Sequence, residues 1–129
     1  MRFWKLLTLL FGMLLLLIVL LANQGVTFRF VYAIPGADKT AHFLLMGSLA
    51  FLANMALRGA VIRLGRRTLP LGGSLVALLV TLEEASQHFI PARTLSLGDL
   101  LADYAGIMLI GGLALWLQRR PRTAPPTRR

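Results

Sequence analysis

The chain of 129 residues contains no cysteine and few charged residues. The absence of cysteine excludes a disulfide framework and a thiolate metal site. Charged residues make up 15% of the chain and hydrophobic residues 57%, a charge share below and an apolar share above those of ordinary soluble domains. Five acidic residues stand against 14 lysines and arginines, giving a formal net charge of +9. This composition favours a single membrane domain.

The excess of positive charge does not indicate a nucleic-acid-binding protein. Such a protein gathers its basic residues on one folded face, whereas here most of them lie in short segments that flank long apolar runs. Segments of this kind are typical of cytoplasmic loops and tails that are attracted to anionic lipid headgroups. We therefore expect membrane lipids as partners, and no nucleic acid.

Four apolar segments approach the roughly 20 residues that a helix needs to cross a membrane. They cover residues 5–23, 39–57, 70–89 and 98–118, and glycine, proline and arginine mark the breaks between them. The first segment is too long for the apolar core of a cleaved signal peptide, so we interpret it as an uncleaved anchor. The sequence thus predicts an all-α membrane protein, a four-transmembrane-helix bundle formed by residues 1–118.

The distribution of lysine and arginine predicts the orientation of the bundle in the membrane, because positive charges in short loops stay in the cytoplasm. With the amino terminus inside, eleven basic residues lie on cytoplasmic segments and three, Arg29, Lys39 and Arg93, lie outside. Both the amino and the carboxy terminus are therefore predicted to be cytoplasmic. Residues 119–129 combine proline, threonine and arginine without a large apolar side chain, which predicts a basic disordered cytoplasmic tail.

Acidic side chains gather at one end of the predicted bundle. On this topology all five acidic residues and both histidines lie at or just inside the outer face. A carboxylate within the membrane costs about 2.5 to 3.5 kcal/mol on insertion scales unless it faces protein or water, so such residues are functional candidates. The acidic residues are Asp38, Glu83, Glu84, Asp99 and Asp103.

Residues three or four positions apart share one face of a helix, and this spacing groups the polar candidates within each segment. We expect three helices to converge on a polar pocket that opens outward, with Glu84 about 9 Å deep. We also expect Arg93 to pair with Glu84, Asp99 or Asp103. The candidates for catalysis are His42, Glu84 and Asp103, and those for binding a substrate are Asp38, Lys39, Gln87, Arg93 and Asp99.

Structural roles compete with these functional ones at several positions. Asp38 is equally a candidate for the N-cap of the second helix, and Ser96 with Asp99 matches a capping box. Arg93 is equally a candidate for an ion-pair partner that makes buried acids tolerable. Glu84 and His42 have the weakest structural explanations, which is why they stand first among the candidates for proton transfer.

The sequence names no cofactor. A hard cation bound by His42, Glu84, Asp99 and Asp103 is conceivable, because the set is rich in oxygen ligands. No recognised ligand spacing supports it, so we predict no metal ligands.

Four polar motifs follow one another along the predicted second to fourth helices. They are Asp38-Lys39-Thr40-Ala41-His42, Glu84-Ala85-Ser86-Gln87, Arg93, and Asp99 with Asp103 and Gly106. This ordered set, within residues 38–112, resembles the VanZ-like family of small bacterial membrane proteins. Asp103 departs from the family pattern, in which asparagine is frequent at this position. The resemblance implies the four-helix fold and a multi-pass protein of the bacterial cytoplasmic (inner) membrane.

The resemblance also implies a role in the cell envelope, because the family is named for a protein linked to resistance to the glycopeptide teicoplanin. The resemblance does not imply a particular reaction. An enzyme acting on a lipid-linked envelope precursor would use His42 or Glu84 as general acid or base, with Arg93 and Lys39 holding a phosphate or carboxylate. A non-catalytic module would bind such a precursor or a glycopeptide in the same pocket. Proton or cation transport is less favoured, because the helices are nearly apolar below the cluster.

The predicted topology can be tested with reporters. A reporter fused after Arg129, or a tag inserted within residues 58–69, should be cytoplasmic, because the basic residues next to both sites resist export. Protease protection in spheroplasts and paired reporters active on only one side of the membrane measure this directly. An external location for either site would show that the bundle has the opposite orientation, with the acidic residues on the cytoplasmic side.

Overall fold

Four helices make up most of the described chain in the computed structural model. Helix α1 covers Arg2–Asn23, α2 covers Ala37–Ala56, α3 covers Leu71–Gln87 and α4 covers Leu97–Arg119. Each overlaps one of the predicted segments, so the helical character of those segments is confirmed. Apart from Arg119, the predicted tail lies outside the described residues. The structure describes residues 2–26, 29, 33–91 and 93–119.

Two of these helices, α1 and α4, are long and apolar enough to cross a membrane by length and composition. They have 22 and 23 residues, whereas α2 has 20 and α3 has 17. Helix α3 ends at Gln87, two residues before the predicted end. Glu84 is therefore three residues, or about 4.5 Å, from the end of its helix, roughly half the predicted depth.

A short antiparallel hairpin connects α2 to α3. Strand β1 (Val61–Leu64) pairs with β2 (Arg67–Pro70), and Leu64 lies opposite Arg67. The turn begins at Gly65, whose φ of 60° suits the first position of a two-residue hairpin turn. The all-α prediction omits this hairpin, although a glycine-led turn between two short β-compatible segments is a recognisable hairpin signal.

Helix α2 ends in a Schellman motif with an unusual residue at its centre. Arg58 adopts the left-handed conformation, with φ of 55°, at the position where glycine is most common. The N–H of Gly59 donates to the carbonyl of Asn54 at 2.9 Å, and that of Arg58 donates to the carbonyl of Met55 at 3.2 Å. The chain thus leaves the helix directly into the hairpin.

Helix α2 contacts each of the other three helices and lies between them. It runs parallel to α4, because Lys39 pairs with Asp99 near their starts and Met55 contacts Gln118 near their ends. Helix α3 runs in the opposite direction and completes a small core of Ala50, Val76, Val80 and Ile107. Parallel packing of α2 and α4 brings their first turns to the same end of the molecule.

Small residues allow the backbones of α2 and α4 to touch. A Cβ atom at Gly106 would collide with the main-chain carbonyl of Phe43, and one at Gly47 would collide with the main chain of Gly106. Main-chain atoms within a helix cannot move aside as a flexible side chain can. Gly106 and Gly47 therefore let the two helices approach closely.

Asn54 joins three helices at the end of the molecule away from the acidic residues. Its side-chain Nδ2 donates to the carbonyl of Gly111 at 3.0 Å, and its Oδ1 accepts from the N–H of Gly73 at 3.0 Å. Gly73 lies in the first turn of α3, where Pro70 at the N-cap offers no side-chain acceptor. Asn54 therefore caps α3 from a neighbouring helix.

Two glycines of α4 provide a matched test of this packing. Gly106→Ala should destabilise the protein by about 1 to 3 kcal/mol, because the new methyl group meets the backbone of α2. Gly112→Ala should be neutral or stabilising by up to about 1 kcal/mol, because nothing lies within 4 Å and alanine is the better helix former. Unfolding of both variants in detergent, followed by circular dichroism, measures the difference. Equal stability of the two would contradict the close approach.

Candidate functional site

His42 lies between three aspartates contributed by α2 and α4. Its Nδ1 is 3.0 Å and 3.2 Å from the two carboxylate oxygens of Asp103. On the other side of the ring, Nε2 is 3.7 Å from Asp99 Oδ2 and 4.0 Å from Asp38 Oδ1. Asp103 is fully buried, whereas the other two aspartates remain partly exposed. The imidazole therefore has one nitrogen directed into the protein and one directed toward the two outer carboxylates.

The helix contact described above positions this arrangement. Asp99 and Asp103 lie one turn apart on α4, and Gly106 follows one turn later on the same face. Gly106 meets Phe43, the residue next to His42, at main-chain distance. The contact holds the imidazole against Asp103.

Asp38 does not serve as the N-cap of α2. The N-cap is Gly36, which makes no side-chain capping bond, and Asp38 lies within the first helical turn. Its carboxylate faces His42 one turn further on. The N-cap interpretation of Asp38 is therefore wrong, although an acidic residue in the first turn still interacts favourably with the helix dipole.

Lys39 supplies the positive charge beside this group. Its Nζ is 3.3 Å from Asp99 Oδ1, and its side chain is 57% exposed. The pair uses only one carboxylate oxygen of Asp99, because Oδ2 faces His42. Lys39 thus partly neutralises the group from its exposed side.

Glu84 is buried, as predicted, and both of its carboxylate oxygens accept hydrogen bonds. Oε1 accepts from the main-chain N–H of Ser96, and Oε2 accepts from Nε2 of Gln87 at 3.2 Å. Ser96 immediately precedes α4, so Glu84 satisfies a main-chain donor at the start of that helix. Glu84 therefore has a structural role that the sequence does not reveal.

The capping box predicted from Ser96 and Asp99 is only half formed. The hydroxyl of Ser96 accepts from the N–H of Asp99 at 3.3 Å. The reciprocal bond, in which Asp99 would accept from the N–H of Ser96, is replaced by the bond from Ser96 to Glu84. As a result the carboxylate of Asp99 faces Lys39 and His42.

Arg93 pairs with Glu83, which is not one of its predicted partners. Its Nη2 is 3.6 Å from Glu83 Oε1, and its Nη1 donates to Asn23 Oδ1 at 3.1 Å. The expected pairing with Glu84, Asp99 or Asp103 is wrong. Glu83 also accepts from Nε2 of Gln87 at 3.1 Å and 2.9 Å, so Gln87 bridges Glu83 and Glu84.

The predicted candidates therefore occupy two adjoining groups. We call the first the histidine cluster, and it contains Asp38, Lys39, His42, Asp99 and Asp103. We call the second the glutamate cluster, and it contains Glu83, Glu84, Gln87 and Arg93, with Asn23 at its edge. Ser96 connects the two, because it bonds to Glu84 and to the main chain of Asp99. His88 lies outside both and packs against Phe89.

One part of the histidine cluster has the ligand types and spacing of a metal site. Nε2 of His42 and one carboxylate oxygen each from Asp38 and Asp99 lie within 4.8 Å of one another. This set differs from the one considered from the sequence, because Asp38 replaces Glu84 and Asp103. Asp103 instead contacts the opposite nitrogen of the ring.

A long apolar groove lies beside the glutamate cluster, between α1 and the pair formed by α2 and α3. Its volume is about 760 Å³, and leucine, valine and methionine side chains form most of its lining. Two charged residues also line it, Lys5 from the start of α1 and Glu83 from near the end of α3. Glu83 therefore belongs both to the groove and to the polar site.

Comparison of the chain with protein-family models, with curated proteins and with solved structures gives no match.

The role of Glu84 at the start of α4 leads to a test by two substitutions. Glu84→Ala should destabilise the protein by about 1 kcal/mol or more, because it removes the acceptor of the partly buried N–H of Ser96. Glu84→Gln keeps a side-chain oxygen at that position and should destabilise the protein much less. Thermal unfolding of the two variants in one detergent compares them. If the alanine variant is as stable as the glutamine variant, Glu84 does not hold α4.

Proposed function

We propose that this chain is a VanZ-like protein of the bacterial cytoplasmic (inner) membrane, with four spanning helices and both termini in the cytoplasm. We propose further that it binds a lipid-linked component of the cell envelope, with the hydrocarbon chain in the groove and the headgroup at the two polar clusters. A role in glycopeptide resistance, including resistance to teicoplanin, would follow from such binding at the outer face.

Exposed apolar side chains support four spans rather than two. On α3, Leu78, Leu79 and Leu82 are 56%, 61% and 58% exposed, although α3 is the shortest helix. Leu101 and Met108 of α4 are exposed to a similar degree. A surface of this kind in water would be a large apolar patch, whereas in a bilayer it is the expected lipid-facing side. The 17 residues of α3 span about 26 Å, close to the hydrocarbon thickness.

The separation of charge along the helices supports the orientation. Trp4 packs against Phe51 with ring centroids 6.3 Å apart, so the start of α1 lies beside the second half of α2. Lys5, the arginines of the hairpin and Arg119 therefore belong to one end of the bundle. The histidine and glutamate clusters belong to the other end. Positive charge at one end and acids at the other favour a cytoplasmic hairpin.

The observation that carries the binding proposal is the position of Glu83. A single residue lines the apolar groove and also forms the ion pair with Arg93. An amphipathic molecule lying in the groove would thus have its polar end at the glutamate cluster. Arg93 in that cluster, and Lys39 in the adjoining histidine cluster, supply positive charge for a phosphate or carboxylate. An ordinary membrane lipid has a hydrocarbon chain that fits the groove. A lipid-linked envelope precursor has such a chain and also a headgroup that fits the polar clusters.

The pair formed by His42 and Asp103 favours a second candidate, an enzyme acting on the same ligand. A buried carboxylate that accepts from one ring nitrogen fixes the tautomer and leaves the other nitrogen to take a proton. His42 would then act as the general base, and Glu84 would mainly hold the site together. The expected reaction is hydrolysis or direct transfer.

A pair of substitutions on α1 tests the binding proposal. Gly12 lines the groove with open space around it, so Gly12→Phe should fill the groove and reduce retention of labelled lipid-linked precursor at least about tenfold. Leu14→Phe adds an aromatic ring to an exposed position of the same helix and should not change retention. Native mass spectrometry of both variants in nanodiscs measures the bound lipid.

Equal retention by the two variants would rule out the groove as the tail site. The same preparations separate binding from catalysis. A product that forms with the unmodified protein and disappears in His42→Ala would establish the enzyme. Binding without any product would support the non-catalytic binding function.

A further inference from the structure

We propose that the histidine cluster binds a divalent cation of the first transition row, such as Mn²⁺ or Zn²⁺. The ligands would be Nε2 of His42 and one carboxylate oxygen each from Asp38 and Asp99. This inference does not depend on the lipid-binding proposal, because it concerns atoms that do not line the groove.

The first argument is the spacing of the three donor atoms. Nε2 lies 3.7 Å from Asp99 Oδ2 and 4.0 Å from Asp38 Oδ1, both too far for a hydrogen bond. Ligand atoms that share one ion at about 2.0 to 2.2 Å stand roughly 3 to 4 Å apart. The two distances from Nε2 are therefore too long for hydrogen bonds and match the spacing of atoms that bind one metal ion.

The second argument is the contact on the opposite side of the ring. An ionised carboxylate accepts hydrogen bonds and cannot donate them, so an ionised Asp103 requires a proton on Nδ1 of His42. In the neutral ring, the lone pair of Nε2 then lies on the side of Asp38 and Asp99. A carboxylate behind a ligating histidine is the usual support of metal-bound imidazole. Asp103 is inaccessible, so its carboxylate is reserved for this internal role.

The third argument is charge. Asp38, Asp99 and Asp103 bring three negative charges, and Lys39 supplies one positive charge from the exposed rim. With His42 neutral, the cluster retains two negative charges at the edge of an apolar bundle. Lys39 contacts only Oδ1 of Asp99, and Oδ2 remains directed to His42. A divalent cation at Nε2 would balance the cluster.

The donor set indicates the class of ion. One imidazole nitrogen with two carboxylate oxygens suits Mn²⁺, Fe²⁺ or Zn²⁺ better than Ca²⁺, which prefers oxygen alone. The three ligand side chains are between 15% and 30% exposed, so an ion can reach them from solvent. A ring nitrogen that binds an ion cannot also take a proton, so an occupied site excludes His42 as general base.

The experiment uses the full chain in detergent after treatment with a chelator. Titration with Mn²⁺ alone, followed by electron paramagnetic resonance, should show one ion per chain, and pulsed measurements should show coupling to an imidazole nitrogen. His42→Ala should remove that coupling and weaken binding at least about 100-fold. His88→Ala is the matched control, since it removes the other histidine, which packs against Phe89 outside both clusters. Calorimetry with Zn²⁺ runs in parallel.

Asp103→Asn tests the supporting contact separately. The amide oxygen can still accept from Nδ1 but carries no charge, so affinity for Mn²⁺ should fall by about 10- to 100-fold. Gly12→Phe should leave Mn²⁺ binding unchanged, which separates the cation site from the lipid groove. Circular dichroism confirms that each variant is folded, and Asp99→Asn replaces His42→Ala if the latter unfolds.

Two results would overturn the proposal. One is folded protein that binds neither Mn²⁺ nor Zn²⁺ more tightly than about 1 mM. The other is binding with imidazole coupling that survives His42→Ala.

Discussion

The contact between the backbones of α2 and α4 at Gly106 and Phe43 determines the rest of the arrangement. Two parallel helices that touch through main-chain atoms have little freedom to slide or rotate, because no flexible side chain separates them. His42 lies next to this contact, and Asp103 lies one turn before it. Their hydrogen bond is therefore a consequence of where the helices meet. A polar group built at such a point has fixed geometry, which loop residues could not provide.

Several carboxylates lie buried or partly buried at one end of an apolar bundle, and each needs a partner. The chain supplies these partners by different means. Glu84 accepts from the main chain at the start of α4, and Glu83 pairs with Arg93. Asp103 accepts from His42, and Asp99 pairs with Lys39. The two buried acids, Glu84 and Asp103, therefore also have structural roles. Glu84 in particular connects α3 to α4, so its burial alone does not identify a catalytic residue.

Much of this could be predicted from the sequence because helical periodicity is a local property. The four helices, the grouping of acids at one end, and the burial of Glu84 and Asp103 follow from apolar runs and from spacings of three or four residues. Periodicity does not say which neighbouring helix a given face meets. One partner of Arg93 is Asn23, 70 residues away. The bond from Ser96 to Glu84 depends on how the loop before α4 folds back. Neither of these two contacts can be predicted from the periodicity of a single helix.

Proton transfer and cation binding make opposite demands on the outer nitrogen of His42. Both require the ring proton on Nδ1, next to the carboxylate of Asp103. They differ in what the two outer aspartates must do. A general base needs open space for a substrate hydrogen, whereas a ligand needs neighbouring donors at metal distance. Since Asp38 and Asp99 both lie within 4.0 Å of Nε2, the geometry favours the ligand role for this nitrogen.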